Sequence, residues 1–364
     1  MRIVFVAGAR PNFMKIAPIL HAMAEYEEIE TLVVHTGQHY DKKMSDIFFE
    51  QLDIPEPIIN FGIGGGTRED QIEQTMRAFS RFVDEMKPDA VLVVGDVNST
   101  VACSRVAKSK NITIIHVEAG LRSFDQSMPE EVNRIETDQL SDYLFVTEES
   151  GMTNLLRERV AGQTFFVGNV MIDTLVRQLR TVQPEALLNK MSLHAKKYVV
   201  GTFHRPSNVD TKKALNNVLE IVEYTAARTK FLLPLHPRTR NSLSQYGLLE
   251  RLQNHPNVVV SEPLGYADFI SAVSQSLGII TDSGGIQEET TFLRIPCITM
   301  RENTERPVTV EVGTNVLAGT DSAMVKNAID ELHANNLKKG GVPEFWDGRA
   351  ATRIVKILVE ALSH

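Results

Sequence analysis

The sequence has no long apolar run and few cysteines. It contains 364 residues and 2 cysteines, Cys103 and Cys297, far apart and each in apolar surroundings. We therefore expect buried thiols in a cytosolic protein, not a disulfide or a metal pair. No apolar run approaches the roughly 18–20 residues of a membrane span. The short N-terminal run ends in Gly-Ala-Arg-Pro and not at a cleavage pattern, which favours a strand in a cytoplasmic protein.

Positive charge is also scarce. The chain has 38 Lys and Arg against 46 Asp and Glu, so its formal net charge is −8. Nucleic-acid binding requires a basic surface, and we therefore expect neither a nucleic acid nor a membrane as a partner. The composition, 43% apolar and 23% charged, is that of a globular protein with enough material for two cores.

Short β-branched runs alternate with helical patterns along the chain. Near-continuous apolar runs are typical of strands buried on both faces, and helical patterns at 70–87 and 212–229 provide crossovers between them. The sequence thus predicts the α/β class, with two doubly wound Rossmann-like domains facing across a cleft. The predicted strands are Arg2–Ala7, Thr31–His35, Ala90–Val94, Ile112–His116, Tyr143–Val146, Thr164–Val167, Lys197–Thr202, Phe231–Leu235, Asn257–Val260, Leu277–Thr281, Pro296–Met300 and Asn315–Leu317.

The predicted join between the domains follows the sixth strand. We expect an N-terminal domain over residues 1–168 and a C-terminal domain over residues 169–350, which begins with a helical linker. The final segment, 351–364, belongs to an amphipathic helix that could cap either domain.

Ligands of open parallel sheets bind beyond the carboxyl ends of the strands, so the polar residues at these positions are the candidates for a site. Arg10 follows the first strand in a turn without the G-x-G-x-x-G spacing, so we expect no nicotinamide cofactor. Arg10 suits an anionic ligand, with a surface salt bridge as the alternative. No His, Cys and Asp grouping has convincing metal spacing, and we expect no metal.

Carboxylates dominate the strand ends of the first half. Asp96 follows the third strand, and "HVEAGLRSFDQSMPEEVNR" follows the fourth. Buried charges are costly unless paired, so this density favours an acid–base set over a purely structural one. For the adjacent acids Glu130 and Glu131, a helix N-terminus after Pro129 is an equally good explanation. The ionisable residues of the stretch include His116, Glu118, Arg122, Glu130, Glu131 and Arg134.

Cations and a glycine-rich turn follow the strands of the second half. His204 and His236 end two successive strands, which favours a functional role for both. In "TDSGGIQEET", Ser283, Gly284 and Gly285 would let a phosphate approach the amino end of a helix. One turn further, Glu289 can accept two ribose hydroxyls, and Arg306 follows the next strand. These patterns predict that the second domain binds a nucleotide and that groups of the first domain carry out the chemistry.

Nine motifs resemble a known family. They are "GARPNFMKIAPI", "TGQHYDKKM", "VLVVGDVNST", "HVEAGLRS", "MPEEVNR", "GN…DT", "HRPSN", "TDSGGIQEE" and "TERP", and they occur in order over nearly the whole chain. Together they resemble the non-hydrolysing UDP-N-acetylglucosamine 2-epimerases. The resemblance implies a GT-B fold whose last helix returns to the first domain, no cofactor and a homodimer.

The resemblance also implies roles for individual residues. The catalytic candidates are Asp96, Glu118, Glu130 and His204. The positions implied near the diphosphate and sugar are Arg10, Lys15, Arg134, His236 and Arg306. The phosphate, ribose and uracil contacts are Ser283, Gly284, Gly285, Glu289 and Phe269. Gln38 and His39 match part of a regulatory substrate site.

The implied reaction is reversible C2 epimerisation of UDP-N-acetylglucosamine to UDP-N-acetylmannosamine through elimination and re-addition of UDP, which feeds cell-surface polysaccharide synthesis. Alternatives are a related UDP-sugar (a diacetamido-sugar or a uronate), a hydrolysing 2-epimerase, a GT-B glycosyltransferase, and a nucleotide-sugar sensor. The chain departs from the usual pattern at Asn12, where many members have Glu, and in the stretch His204-Arg205-Pro206-Ser207-Asn208, where many have "HRRE" or "HRKEN". These departures leave the sugar open.

Overall fold

The structure, a computed structural model, describes residues 1–37, 49 and 52–362. The chain forms two compact units: Met1–Thr174 together with Glu344–His364, and Leu175–Pro343. Both units are built from a parallel β-sheet and helices, which confirms the predicted α/β class. Within the described part of the chain, no helix has the length and apolar character needed to cross a membrane.

The first unit contains a seven-stranded parallel sheet in the order β3-β2-β1-β4-β5-β6-β7. A two-residue strand, β3, escaped the sequence analysis because it is too short to show a pattern, and β5 runs three residues beyond its predicted end at His116. The strands are β1 (Arg2–Ala7), β2 (Glu30–His35), β3 (Ile59–Asn60), β4 (Ala90–Val94), β5 (Thr113–Ala119), β6 (Tyr143–Val146) and β7 (Gln163–Phe166).

Apolar side chains of β1, β2 and β4 form a core with two helices of this unit, α2 and α3. The helices are α1 (Arg10–Met23), α2 (Arg68–Met86), α3 (Asn98–Ser109), α4 (Pro129–Leu140), α5 (Glu149–Arg157) and α6 (Val170–Gln178), with the C-terminal helix α16 (Ala350–Leu362). Helix α6 spans the boundary between the units.

The second unit contains a six-stranded parallel sheet in the order β10-β9-β8-β11-β12-β13. Its strands are β8 (Tyr198–Thr202), β9 (Lys230–Pro234), β10 (Val258–Ser261), β11 (Gly278–Thr281), β12 (Cys297–Thr299) and β13 (Asn315–Leu317). Its helices are α7 (Pro184–Lys190), α8 (Pro206–Val209), α9 (Lys212–Ala226), α10 (Pro237–Gln245), α11 (Leu249–Gln253), α12 (Tyr266–Ser274), α13 (Gly284–Leu293), α14 (Pro307–Glu311) and α15 (Ser322–His333). Two apolar clusters fill this unit, one with α9 and α15 and one with α7 and α12.

Strand order reverses between β1 and β4 in the first sheet and between β8 and β11 in the second. In doubly wound sheets the crevice beyond such a reversal is where ligands bind. The loops that follow these four strands contain Gly8, Asp96, His204 and Asp282. Each unit therefore presents predicted site residues at its own topological switch point.

The two cysteines are buried and free, as predicted. Cys103 lies in α3 and Cys297 in β12. Burial raises the pKa of Cys103 well above its usual value and that of Cys297 to about 11. Both thiols are therefore packing groups rather than nucleophiles.

The C-terminal segment is fixed to the first unit by polar and apolar contacts. The only tryptophan, Trp346, is 1% exposed, and its Nε1 donates to the Thr147 carbonyl at 2.9 Å. The Asp173 carboxylate accepts from the first amides of α16, at 3.1 Å from Ala350 and 2.7 Å from Ala351. Helix α16 packs against α1.

A glycine in this region tests how tightly the C-terminal segment is held. Gly168 has φ +89°, and a Cβ there would lie 2.0 Å from the Phe345 carbonyl oxygen. Gly168→Ala should lower the free energy of unfolding by roughly 2–4 kcal/mol, because backbone strain and a steric clash add. The measurement is urea unfolding followed by Trp346 fluorescence.

Gly65→Ala is the matched control in the same unit. Gly65 also has a left-handed backbone, φ +79°, but a Cβ there meets nothing within 4 Å. It should cost only about 1 kcal/mol. Equal losses in the two variants would contradict the close packing of Phe345 on Gly168.

Candidate active site

Glu118 lies at the centre of the polar cluster in the first unit. It is 1% exposed and stands near the end of β5, where the register with β6 shifts between Val117 and Ala119. Its φ of 69° is in the left-handed region, which costs a non-glycine residue on the order of 1 kcal/mol and is retained mainly where surrounding structure demands it. Because of this bulge, the Glu118 carboxylate points in a direction that a regular strand would not give it.

Within the described part of the chain, two cations hold this carboxylate. Lys15 Nζ of α1 lies 2.6 Å from Glu118 Oε2, and Arg134 of α4 lies 3.3 Å from Oε1. Arg134 also contacts the Asp96 carboxylate and donates to the Glu118 carbonyl. Because the Asp96 side chain is 26% exposed, the network runs from a buried carboxylate to a solvent-accessible one. The structure thus brings together four predicted site residues.

The loop after β1 supports the same cluster. Asn12 Oδ1 accepts from the amides of Gly8 (3.2 Å) and Ala9 (2.9 Å), while its Nδ2 donates to the Val94 carbonyl at 3.3 Å. An ionised glutamate could accept but could not make that last donation. Asn12, a departure from the family pattern, therefore has a structural role that joins the ends of β1 and β4.

Beside this network lies a pocket of about 290 Å³ within the first unit. Asp96 and Glu130 both line it, and Glu130 is exposed. The neighbouring Glu131 is 4% exposed and accepts from the amides of Ser123 (2.8 Å) and Phe124 (3.0 Å). Of the two adjacent acids, Glu130 is thus available to a ligand and Glu131 stabilises the preceding loop.

A second buried network contacts the turn before Asp96, and no role for it was predicted from the sequence. His116 Nδ1 is 2.7 Å from Asp138 Oδ1, and its Nε2 is 2.8 Å from the Gly95 carbonyl. Asp138 Oδ2 pairs with Arg122 at 2.7 Å, and Arg122 also pairs with Glu158. The network supports the turn before Asp96. Its signal in the sequence was the density of ionisable residues after β5.

In the second unit, His204 follows β8 and His236 follows β9. Their ring centroids are 5.3 Å apart, so the structure brings this predicted pair together. Burial lowers the pKa of both rings; the charge of Asp282 opposes this, and neighbouring arginines add to it. Both histidines are therefore neutral at neutral pH without a bound anion.

Arginines surround the amino end of α13. Arg306 Nε lies 2.8 Å from Glu288, and a Cβ at Gly284 would lie 2.8 Å from Arg306 Nη1. Gly284 therefore leaves room for the guanidinium at the helix terminus, and a Cβ at Gly285 would meet nothing within 4 Å. Helix amides and a cation at one point form an anion-binding arrangement. Ser283 immediately precedes the first residue of the helix.

Glu305 links two of these cations. It accepts from Arg301 at 2.8 and 3.1 Å, and its Oε2 lies 3.4 Å from Arg306. Burial on its own would raise the pKa of Glu305, but the hydrogen bond from Arg301 and the charges of both arginines outweigh it and hold the pKa at about 2. Glu305 is thus ionised and fixes the arginines in place.

Glu289 has the opposite environment. It is 5% exposed and accepts from the Tyr266 hydroxyl at 2.9 Å. Burial raises its pKa to about 8; the Tyr266 hydrogen bond opposes this, and the charge of Glu288 adds to it. Without a ligand Glu289 is mainly protonated at neutral pH. Tyr266 is a residue that the sequence analysis missed, and only its position one helix before β11 could have indicated it.

Phe269 is the remaining predicted residue whose side chain the structure describes. Phe269 is partly buried and packs against the α7 and α12 cluster. Arg10 begins α1, and its side chain is outside the described part of the structure. Gln38 and His39 also lie outside the described residues, so the predicted regulatory site stays a prediction.

Comparisons with known proteins assign the family. The sequence profile for UDP-N-acetylglucosamine 2-epimerase matches residues 21–359. The chain belongs to the UDP-N-acetylglucosamine 2-epimerase family. The predicted resemblance is confirmed, and the family is one of isomerases.

Individual relatives cover the whole chain. The UDP-N-acetylglucosamine 2-epimerase of Methanocaldococcus jannaschii is 39% identical over 98% of this chain and 99% of the relative. The UDP-2,3-diacetamido-2,3-dideoxy-D-glucuronate 2-epimerase of Pseudomonas aeruginosa is 37% identical over 99% of this chain and 100% of the relative. Relatives of comparable similarity thus act on different sugars.

Solved structures agree on the fold. The M. jannaschii epimerase in complex with UDP-GlcNAc and UDP has a TM-score of 0.90 at 37% identity, covering 99% of this chain and 100% of that one. A sucrose-phosphate synthase from Thermosynechococcus elongatus, with a TM-score of 0.60 and 14% identity over 100% of this chain and 96% of that one, shares the fold alone. The predicted GT-B type is confirmed.

The raised pKa of Glu289 makes the second unit of this family member sensitive to pH. The folded state holds a proton that the unfolded state releases above pH 4.5, so stability falls as pH rises from 4.5 to about 8. Glu289→Gln should remove this slope, an effect on the order of a few kcal/mol. The measurement is hydrogen exchange of peptides from 284–293, corrected for intrinsic exchange.

Glu305→Gln is the matched control for this pH dependence. The pKa of Glu305 is about 2 against an ordinary value of 4.5, so this carboxylate is ionised in the folded state across the same pH range and in the unfolded state over most of it. The variant should lose stability at every pH and keep the slope. An unchanged slope in Glu289→Gln would show that another group causes it.

Proposed function

We propose that this protein catalyses reversible C2 epimerisation of UDP-N-acetylglucosamine and UDP-N-acetylmannosamine without net hydrolysis. The observation that carries the proposal is the buried Glu118 carboxylate, held between Lys15 and Arg134 and connected through Arg134 to Asp96 at the edge of a pocket. The whole-length similarity to the M. jannaschii enzyme supports the choice of reaction.

The chemistry requires groups of the kind found in this cluster. The C2 proton of the sugar is not acidic beside an intact acetal. Cleavage of the C1–O bond, with the electron pair leaving on UDP, makes C1 electron-poor and C2–H acidic. A carboxylate then removes the proton, which leaves a 2-acetamidoglucal and UDP. UDP adds back at C1 while an acid returns a proton to the opposite face of C2.

We assign the proton transfers to the carboxylates of the first unit. Asp96 and Glu130 line the same pocket. Glu118 contacts Arg134, which also pairs with Asp96. Lys15 and Arg134 balance the charges of Glu118 and Asp96, so two carboxylates can lie close together at this position. Three carboxylates at one site provide separate proton donors and acceptors for the two faces of C2.

We assign nucleotide binding to the second unit. The amides at the start of α13, with Arg306 beside Gly284, fit a diphosphate. Glu289 lies one turn along the helix and fits the ribose diol. Arg306, together with His204 and His236 once the bound anion lets them take a proton, would stabilise the negative charge that develops on departing UDP. The backbone near Phe269 would face the uracil.

The relative from P. aeruginosa favours a second candidate substrate. At 37% identity over the whole chain, it is nearly as similar as the M. jannaschii epimerase. UDP-2,3-diacetamido-2,3-dideoxy-D-glucuronate undergoes the same C2 chemistry but has an additional carboxylate and a second acetamido group. The same residues would therefore catalyse either reaction.

Proton NMR in D₂O tests these functions. Purified protein with UDP-N-acetylglucosamine should yield both epimers with deuterium at C2. Free N-acetylmannosamine with UDP would identify a hydrolysing enzyme. Exchange only with the diacetamido-uronate nucleotide would select the second substrate, and turnover that requires a sugar acceptor would identify a glycosyltransferase. Binding of the UDP-sugars without exchange would identify a sensor.

Replacement of the carboxylates should separate chemistry from binding. Asp96→Asn and Glu118→Gln should each lower kcat by about 10²–10⁴-fold, as expected for the loss of an acid–base group. UDP affinity, measured by calorimetry, should be preserved because the assigned nucleotide contacts lie in the second unit.

Glu136→Gln provides the matched control on α4. Glu136 pairs with Arg105 at 2.6 Å and is about one-third exposed, outside the residues that line the pocket. It should keep wild-type turnover. Full activity in Asp96→Asn or Glu118→Gln would remove that residue from the mechanism.

A further inference from the structure

We propose that Asp282 is a positioning residue that holds the His204 ring with its proton on Nδ1, so that Nε2 is the nitrogen available to substrate. The inference deepens the proposed function, since His204 serves the reaction there. Neither the sequence motifs nor the family resemblance gave Asp282 a role.

The first support is the contact between the two side chains. Asp282 directly follows β11 and is 0% exposed. Its Oδ1 lies 3.2 Å from His204 Nδ1. A lone pair on Nδ1 would face the negative charge of the carboxylate, whereas an N–H there is attracted to it, so the contact favours hydrogen on Nδ1. The neutral ring then has its lone pair on Nε2.

The same carboxylate also organises the backbone around His204. It accepts from the amides of His204 (3.1 and 3.0 Å) and Arg205 (3.0 Å), and from Asn208 Nδ2 (3.0 Å). In return, Arg205 Nε donates to the Asp282 carbonyl at 3.1 Å. Ring and main chain are thus fixed to one buried group, while the His204 side chain remains 39% exposed on its open side.

The charges around the ring are consistent with a proton acceptor. The groups that face His204 are Asp282 after β11, His236 after β9, Arg205 in its own loop and Arg238 on α10. Burial lowers the pKa of His204, the Asp282 charge opposes this, and the other three groups add to it. When Nε2 takes a proton, the imidazolium charge faces the Asp282 carboxylate. This is the arrangement by which a buried aspartate sets the tautomer of a catalytic histidine.

Nitrogen-15 NMR of histidine-labelled protein tests the tautomer directly. The His204 signals are assigned by their loss in His204→Gln. We expect the neutral form with hydrogen on Nδ1 in the wild type. Hydrogen on Nε2 would overturn the proposal. The measurement needs no substrate, so it decides the role of Asp282 even if the protein epimerises none of the UDP-sugars, an outcome that would overturn the proposed function instead.

Kinetics test whether Asp282 acts through His204. The Asp282→Asn amide can donate to Nδ1 and so favours the wrong tautomer. It should lower kcat by about 10²–10⁴-fold and shift the pH profile of kcat, with UDP affinity retained. In a protein that already carries His204→Gln, adding Asp282→Asn should lower kcat by less than a further factor of about three. An equal loss in both backgrounds would show a purely structural role.

Asn208→Ala is the matched control. It removes another donor to the same carboxylate but leaves the contact between Asp282 and His204. It should keep the shape of the pH profile, whatever its effect on stability. A shift like that of Asp282→Asn would overturn the proposal. If Asp282→Asn does not fold, the tautomer of the His204 ring in the wild-type protein still tests the proposal.

Discussion

The burial of carboxylates beside the ends of parallel strands is the constraint on which both units depend. Three of these buried acids are stabilised in three different ways. Glu118 is held by the cations Lys15 and Arg134, and Asp282 by amide donors and the His204 ring. Glu289 has the Tyr266 hydroxyl, and its pKa rises to about 8. Differences of this kind let one fold supply ionised and protonated acids at the same pH.

Most of the fold could be predicted from the sequence because parallel strands buried on both faces leave a nearly continuous apolar signal. Among the described residues, all but one of the strands were predicted, and most bounds were within one or two residues. The short strand β3 (Ile59–Asn60) was missed because two residues have no period. The extension of β5 to Ala119 was missed because it includes Glu118, whose charge makes the strand look finished.

Much less of the site could be predicted, because sequence order does not give side-chain direction. Glu130 and Glu131 are adjacent, yet one lines a pocket and the other stabilises a loop, since successive helical residues point about 100° apart. Asp282 was noted only as the end of a strand. Asp282 accepts from several donors because the fold places it beside the loop after β8, which lies 78 residues earlier in the chain. No local sequence pattern encodes this proximity.

An asparagine joins strand ends in each unit, and one of the two, Asn12, is a departure from the family pattern. Asn12 joins the loops after β1 and β4 through an acceptor and a donor on one amide. Asn208 donates to the Asp282 carboxylate and to the Met300 carbonyl, and so joins β8 to β11 and β12. Each unit therefore uses an asparagine across its own switch point. Because a neutral amide can donate and accept at once, Asn12 holds the ends of β1 and β4 together without a charge.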